Sequence, residues 1–510
     1  MKKLILLAFL IGNSLSIFSQ KNSNVPEKKE QSGFFAVDFL SVEMPFNATF
    51  LNEPNMGLTG IHYNLKFDNF YTGLGIYGSV TGKRGGLFTL GINAGFQKYL
   101  SERFFIDTGL HFGGGGGAGA PDGGGAFILP HLNLGYDFKD FSLTTGYSYI
   151  NFFDGGDITS HQINIALQIP MDFSYSSYKN AESSFSSDEI KASDWNQNGT
   201  KTSFMLHLNN LSVKGGSQDT NGLPLAGETI RLAGFEFNSY LSDSWFFLIK
   251  ADGAYDGIPA GYMDILLGAG YHLSLNNDRT NILAKLAIGA GGGGGVDTQG
   301  GVLVYPDISL EQHISDNVYL SVNKGFLMSP NSFFKSSTLG FGLKYYTNIN
   351  GLANTSSKNT FKEFEIILKQ DMYLNADRDL APTQHLHQIS MQLNFSLTKS
   401  LYVAGQTSFA NFGNAGAYAE GIVGIGLKTN SFFNEKVALF GQVLAGAAGG
   451  GHISTGEGLI IKPSIGGNWF LNDELSLRGA LGYVKAYGGD LSSPFLNVGI
   501  SYRFSFLSSN

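Results

Sequence analysis

The stretch LFTLGINAGFQK, residues 87–98, decides the fold class. Its apolar residues occupy every second position: Phe88, Leu90, Ile92, Ala94 and Phe96. Because successive side chains of a strand point to opposite faces, this alternation gives one apolar face and one polar face. The run is about ten residues long, the length that a tilted strand needs to cross a membrane, whereas strands of soluble proteins average roughly five or six. The pattern predicts a transmembrane antiparallel β-strand.

The same pattern recurs along the chain, for example where isoleucine and leucine alternate with polar residues at 162–169. Charged residues make up only 15% of the chain, against roughly a quarter in soluble domains, and glycine contributes 69 residues. Beyond the N-terminus no apolar run reaches the eighteen or so residues of a membrane helix. We therefore predict an all-β chain, a transmembrane β-barrel of about 24 strands.

The connections alternate in length, which predicts the orientation of the strands. Short turns such as FDN, LSER, FKD, LSDS and LNDE oppose longer segments such as NATFLNEPNMG and GSQDTNGLPLAGE. Outer-membrane barrels place short turns in the periplasm and longer loops outside the cell. A soluble β-sandwich has no reason to sort its turns in this way.

The N-terminus predicts export. Residues 1–20 have two lysines, an apolar stretch and small residues at a cleavage position, as a signal peptide does. Residues 21–32 are polar and are predicted to be a disordered lead-in. The chain has no cysteine, which excludes a lipid-anchored cysteine, disulfides and thiolate metal sites. The net charge of -8 argues against nucleic acid as a partner.

The last segment, LNVGISYRFSFL, places Tyr502, Phe504 and Phe506 at alternate positions near the C-terminus. It is similar to the aromatic final strand by which outer-membrane barrels are recognised for assembly. Together with MKK…FSQ at the front, the chain resembles the outer-membrane β-barrel proteins of Bacteroidota. The resemblance implies a place in the cell outer membrane, with its lipids and the barrel-assembly machinery as partners. It names no activity.

Three segments of the chain share the order strand, glycine run and returning strand, which predicts an internal repeat. The glycine runs are Gly113, Gly114, Gly115, Gly116 and Gly117; Gly291, Gly292, Gly293, Gly294 and Gly295; and Gly449, Gly450 and Gly451. A proline follows each run: Pro130, Pro306 and Pro463. Each proline precedes a glycine–aromatic pair, the first being Gly146 and Tyr147. Three coincident landmarks make chance an unlikely origin.

On this register each copy divides into about eight strands. The repeats are 33–173, 202–347 and 360–510, and the linkers are 174–201 and 348–359. Three small barrels in tandem and one 24-stranded barrel both fit this division. The long linkers favour three barrels, because neighbouring strands of one barrel need no tether. Four charged residues, Glu236, Lys250, Asp252 and Asp264, are predicted to face inward and pair, filling a narrow barrel.

The glycine runs have three interpretations. No Lys-Ser or Lys-Thr follows them, which argues against a phosphate-binding loop. Calcium binding would use Asp122 and Asp297, but the third copy offers His452 and Glu457 instead. The favoured hypothesis is structural: the glycine hairpins face one another around a pseudo-threefold axis and let backbones approach closely. Under this hypothesis, large side chains at Gly115, Gly293 and Gly450 disturb assembly.

Catalysis has little support in the sequence. The best constellation is Asp107, His111 and His131 on the inner faces of neighbouring strands, but Lys285, Gly289 and Asp307 stand at the corresponding places of the second copy. His385 and His387 could share a metal, yet no third ligand is evident. We therefore predict no catalytic, metal or cofactor site. The predicted function is structural or partner-docking, with a passive pore or transporter for small solutes or lipids as the alternative.

Overall fold

The computed structural model describes residues 24–46, 53–353, 359–379 and 381–509. The predicted signal peptide lies outside these residues. The described chain contains 27 strands and little helix, which confirms the all-β class. Within the described ranges, no helix is long and apolar enough to cross a membrane.

The first eight long strands form a closed barrel, here called barrel 1. Its last strand pairs with its first, Leu40 opposite Asn164 and Phe34 opposite Pro170. The strands are β2 (Gly33–Val42), β3 (Met56–Phe67), β4 (Phe70–Thr81), β5 (Phe88–Tyr99), β6 (Phe104–Gly116), β7 (Phe127–Asp137), β8 (Ser142–Phe152) and β9 (Thr159–Pro170).

The next eight long strands form a second ring, barrel 2, because β12 pairs with β19 along fourteen residues. The strands are β12 (Thr200–Val213), β13 (Thr229–Tyr240), β14 (Trp245–Asp256), β15 (Met263–Leu275), β16 (Thr280–Gly292), β17 (Val302–Ser315), β18 (Val318–Met328) and β19 (Lys335–Ile349).

The last eight strands form a third ring, barrel 3, in which β20 pairs with β27 from Asn359 opposite Ser509 to Tyr373 opposite Phe495. The strands are β20 (Asn359–Arg378), β21 (Ala381–Ser396), β22 (Leu401–Phe412), β23 (Ala419–Lys428), β24 (Val437–Gly449), β25 (Leu459–Phe470), β26 (Leu475–Ala486) and β27 (Ser492–Ser509). Barrels 2 and 3 also share a two-residue pairing between the ends of β19 and β27.

Along the middle of the long strands the outward side chains are mainly apolar and the inward ones mainly polar, while inward residues near the extracellular ends, such as Leu211 and Leu232, are apolar. In β9, for example, Ile163 and Ile165 are exposed while Gln162 and Asn164 are buried. Exposed aromatic residues such as Phe70, Phe104 and Trp245 gather at the ends with short turns, as an aromatic girdle requires. Closed rings leave no unpaired edge in lipid. The chain is thus an integral β-barrel protein of the outer membrane.

Residues 24–32 of the lead-in and the first linker are folded, so the prediction of disorder is wrong for this part of the lead-in. Strand β1 (Lys29–Gln31) pairs with β10 (Phe173–Tyr175), and Ser176 bridges to Ser505 of barrel 3. A 3₁₀ turn (Tyr178–Asn180), the short strand β11 (Ser184–Phe185) and helix α1 (Ser187–Lys191) follow. We call residues 24–31 with 173–199 the cap.

The cap is ordered because it buries apolar side chains against the periplasmic mouth of barrel 3. Val25, Ile190 and Trp195 pack on the inward-facing Phe361 and Leu507, and the Trp195 Nε1–H donates to the Pro26 carbonyl at 2.9 Å. The polar composition of this segment predicts disorder. Its few apolar residues stabilise a fold only when a distant part of the chain covers them, and the local sequence does not show that surface. The second linker contributes Leu352 to the same cluster, and its residues 354–358 lie outside the described ranges.

Candidate functional site

The interior of barrel 2 is filled by ion pairs. Lys285 lies 2.7 Å from Glu236 and 3.0 Å from Asp307, and Lys344 lies 2.8 Å from Glu311 and 3.5 Å from Glu236. All of these side chains are nearly inaccessible. Such buried charges persist only where partners surround them.

A second group of charges lies above the first in barrel 2. As predicted, Lys250 contacts Asp252 and lies 3.7 Å from Asp264, while Glu236 belongs to the lower group instead. His207 closes the group at 2.6 Å from Asp252. Together the two groups occupy the lumen with side chains that hold one another in place.

Barrel 3 is filled in a similar way around Lys462, which lies 3.0 Å from both Asp371 and Glu420. Lys369 is 3.6 Å from Asp371, and the Gln406 amide donates to the same carboxylate at 3.0 Å. Arg478 stacks over the Phe440 ring at 3.4 Å. These contacts span the lumen from wall to wall.

Barrel 1 is filled by histidines and amides rather than lysines, and the candidate catalytic residues divide between two groups. Asp107 accepts hydrogen bonds from Tyr71 and Gln168, both at 2.9 Å, and lies 3.4 Å from His131. His111 belongs to the other group, where its Nδ1 meets the Asn93 Oδ1 at 2.5 Å. The three residues therefore form no acid–base relay, and the Asp107 carboxylate already accepts hydrogen bonds from side chains of neighbouring strands.

The second group of barrel 1 links five neighbouring strands of its wall, β2 to β6. The Asn93 amide donates to His62 Nδ1 at 3.2 Å, and His62 Nε2 lies 3.3 Å from Asp38. Tyr77 donates to the same carboxylate at 2.6 Å. The His111 Nε2 has no hydrogen-bond partner in the described structure.

No group of three potential metal ligands forms among the described residues. His385 and His387 lie side by side on the outer face of β21, where the structure supplies no third ligand from the described chain. Asp122 is used differently from a calcium ligand: its carboxylate accepts the backbone N–H of Gly117 at 2.7 Å. Burial raises the pKa of Asp122 to about 7.

Each glycine run lies against the third strand, or the loop after it, of a neighbouring barrel. A Cβ at Gly114 would stand 2.4 Å from the Ala410 carbonyl oxygen of barrel 3, and one at Gly449 would stand 2.5 Å from the Ala260 Cβ of barrel 2. A Cβ at Gly86 of barrel 1 would stand 2.3 Å from the Gly293 nitrogen of barrel 2. The order is cyclic: barrel 1 on 3, barrel 3 on 2, barrel 2 on 1. We call these three interfaces the seams.

The seams differ from the predicted arrangement, in which the glycine hairpins meet one another at the axis. The residues singled out for substitution face their own barrels: a Cβ at Gly115 would meet the Phe88 carbonyl oxygen at 2.2 Å, and one at Gly450 the Ala417 carbonyl oxygen at 2.0 Å. Gly293 has the same relation to Gly261. The glycines at which an added Cβ would meet a neighbouring barrel include Gly114, Gly292 and Gly449.

The space at the common axis is filled by apolar side chains from all three barrels. The buried members are Phe88, Leu90, Ala290, Ile389 and Phe409, with Met263 and Ala419 among the residues packed against them. We call this the axis cluster. It lies toward the extracellular ends of the strands, because Phe88, Met263 and Ala419 begin strands that descend from the outer loops.

The three repeat prolines have one structural role. Pro130, Pro306 and Pro463 lie opposite Leu110, Leu286 and Val443 of the fifth strands. On the other side, the regular pairing with the seventh strand skips the proline and the residue before it in all three barrels. Proline has no N–H to donate to a sheet, so it interrupts the ladder there.

The sequence reasoning missed the partners of the glycine runs. Ala410, Ala260 and Gly86 are small residues at the ends of third strands or just beyond, and nothing marked them as contact residues. The one signal in the sequence was that a small residue recurs at or just after the end of the third strand in each repeat.

No family model matches the chain, and no curated protein matches it. Solved structures overlay on most of it at low similarity. The ferric enterobactin receptor PfeA of Pseudomonas aeruginosa is 9% identical over 93% of this chain and 81% of its own, with a TM-score of 0.28. The siderophore receptor PirA of Acinetobacter baumannii is 8% identical over 93% of this chain and 80% of its own, with a TM-score of 0.27. OpdQ of Pseudomonas aeruginosa is 8% identical over 93% of this chain and 98% of its own, with a TM-score of 0.21. Overlays this poor carry no argument about function.

Proposed function

We propose that this chain is a non-catalytic membrane scaffold: three eight-stranded barrels, copies of one repeat, held in a ring and serving a structural or partner-docking role. The observation that carries the proposal is the filling of the three lumens by mutually bonded side chains. Lys344, Lys462 and Asp107 each stand within hydrogen-bond distance of several partners in their barrels. An eight-stranded barrel is wide enough only for its own side chains.

Sealed lumens predict electrical silence. The full chain, reconstituted in planar bilayers at neutral pH, should show no steady conductance, because each lumen would have to break its buried hydrogen bonds or ion pairs to admit an ion. Heat-modified gel mobility of the same preparation shows that the protein is folded. Large, steady openings in the folded protein would overturn the scaffold proposal.

The alternative is a passive pore or transporter for small solutes or lipids. Receptors for ferric siderophores are among the solved structures that overlay, but their TM-scores are too low to favour either function. Transport would need a route other than the three lumens as they are filled here. Uptake of small sugars by vesicles that contain the protein distinguishes the two: swelling supports transport, and its absence supports the scaffold.

The division into separately closed barrels supports repeats of about 33–173, 202–347 and 360–510, and it has its own test. A protease site inserted after Ala192, in the exposed part of the cap, should yield two fragments that stay folded and separately heat-modifiable. Each fragment then retains complete rings. If cleavage abolished the folded mobility of both fragments, a shared wall would be indicated instead.

We also propose that the barrel-assembly machinery recognises β27 by its terminal aromatic residues. Phe504 packs against Phe173 of the cap and Phe364 of β20, with ring centroids 5.5 and 5.6 Å apart. Phe506→Ala should lower the amount of inserted protein in cells while leaving refolding into vesicles unchanged. Equal loss in cells and in vesicles would show a stability effect alone.

A further inference from the structure

The fourth strands of the three barrels, β5, β15 and β23, face the common axis. This follows from the contacts on either side of them, since the third and fifth strands of every barrel touch two different neighbours. The outward residues that begin these strands are covered: Phe88 of β5 is only 1% exposed, and Met263 of β15 and Ala419 of β23 pack against the same cluster. The axis cluster thus closes the centre of the molecule on its outer side.

Toward the periplasmic ends the same strands are uncovered. In β23 the exposed fraction rises from Val423 (38%) to Ile425 (60%) and Leu427 (62%). Ala94 in β5 and Ala269 in β15 are exposed at corresponding depths. Three walls therefore meet at the top and separate below. We call the space bounded by Ala94, Phe96, Ala269, Tyr271 and Val423–Leu427 the axial cleft.

The chemistry of the axial cleft selects an apolar occupant. Its outward-facing residues are aliphatic or aromatic, and the backbone behind them is paired within the sheets. Gly421 opens further room, because a Cβ there would have no neighbour within 4 Å. Water in such a cleft would face hydrocarbon on three sides, which is unfavourable.

The direction of the opening selects the source of that occupant. The axis cluster and the seams block entry from the outer leaflet, which carries the lipopolysaccharide. The open end lies at the level of the periplasmic aromatic girdle, where Tyr271 is exposed. A lipid enters this space only from the inner leaflet, which consists of glycerophospholipid.

We propose that the axial cleft holds the acyl chains of a glycerophospholipid from the inner leaflet, and that this lipid is retained when the lipids around the outer wall exchange. It fills the gap that three round barrels leave between them and thereby completes the apolar packing at the axis. This inference goes beyond the scaffold function and does not depend on the electrical silence of the lumens.

The test uses the full chain in lipid nanodiscs that contain phosphatidylethanolamine with a photoreactive diazirine on one acyl chain. Half of the sample is exchanged into unlabelled detergent before irradiation. We expect crosslinks to 421–427 and 269–271 to survive the exchange, whereas crosslinks to the outer wall at Ile163 and Ile165 disappear. Equal loss at both places would overturn the proposal.

A matched pair of variants separates the cleft from a general effect on the barrel wall. Gly421→Trp fills the cleft, while Gly479→Trp makes the same change on β26 of the same barrel, on the side away from the neighbouring barrels. In native mass spectra, the wild-type chain and Gly479→Trp should each retain one phospholipid. The fraction of Gly421→Trp that carries a phospholipid should be at least five-fold lower. Retention by Gly421→Trp, with folded gel mobility, would place the lipid elsewhere and overturn the assignment.

Discussion

Barrel 1 and barrel 2 have the same strand number and the same register of glycine and proline, yet they fill their interiors with different chemistry. Barrel 2 uses lysines between carboxylates, whereas barrel 1 uses histidines, tyrosines and amides around two carboxylates. A shared active site would keep its residues in each copy. The difference teaches that different side chains can fill the same interior, while the glycine runs at the seams recur in each barrel.

The comparison extends to the seams. In the loop that follows the glycine run of barrel 1, the buried Asp122 carboxylate accepts a hydrogen bond from the Gly117 N–H. At the corresponding place in barrel 2, Thr298 donates to the Gly291 carbonyl at 2.9 Å. One seam therefore contains an ionisable group and the other a neutral hydroxyl.

The largest expected effect is the loss of a lysine from barrel 2. Lys344→Met leaves Glu236 and Glu311 short of a cation in a buried lumen, and the free energy of unfolding should fall by about 3–5 kcal/mol. Urea unfolding in lipid vesicles measures it. If the variant lost less than the barrel 1 variants below, the contrast between the two interiors would be wrong.

The second effect is a pH dependence that belongs to barrel 1. Because the pKa of Asp122 is about 7 in the folded protein and close to 4 in an unfolded chain, the folded state binds its proton more tightly. Ionised Asp122 therefore destabilises the folded state: the cost is absent below about pH 4 and complete above about pH 7, up to about 4 kcal/mol.

Asp122→Asn should remove this cost, so that the variant is more stable than the wild-type chain at pH 8 and nearly equal to it at pH 4. Urea unfolding in vesicles at both pH values measures the difference. Thr298→Val is the control in barrel 2, and its effect should be the same at both pH values. A pH-independent effect of Asp122→Asn would contradict the prediction.

A smaller effect is expected from Asp107→Asn in barrel 1. The amide keeps one acceptor for Tyr71 but weakens the charge-assisted bonds from Gln168 and His131, so the loss should be about 2 kcal/mol. Urea unfolding of this variant and of Lys344→Met under the same conditions compares the free energy of unfolding that each interior loses. A loss above that of Lys344→Met would show that barrel 1 depends on its charges as much as barrel 2 does.

The smallest effect is expected from His111→Leu. The ring already has one nitrogen without a partner, so the variant loses a single hydrogen bond to Asn93, worth about 1 kcal/mol. The folded mobility on gels should be unchanged. A loss of several kcal/mol would show that a water or another group satisfies the free nitrogen and that the histidine is central to the interior.

The sequence predicts those parts of the fold that depend on local pattern. Alternation in residues 87–98 and 162–169 predicts the strands and their apolar faces, and the pairing of Lys250 with Asp252 follows from side-chain direction within one strand. Contacts between distant parts of the chain were not predictable. Gly114 meets Ala410, and Trp195 meets Phe361, through surfaces that no local pattern records. The axial cleft is of the same kind, since it exists only between complete barrels.

The cap brings the N-terminal segment 24–31 and the first linker onto the ends of β20 and β27, so its tryptophan reports contacts between distant parts of the chain. Trp195 is buried among Val25, Ile190, Phe361 and Leu507, which come from 24–31, the first linker, β20 and β27. The other two of the three tryptophans, Trp245 and Trp469, are exposed on the barrel walls. With those two replaced by phenylalanine, the emission of Trp195 would follow the closing step of biogenesis separately from the insertion of the strands.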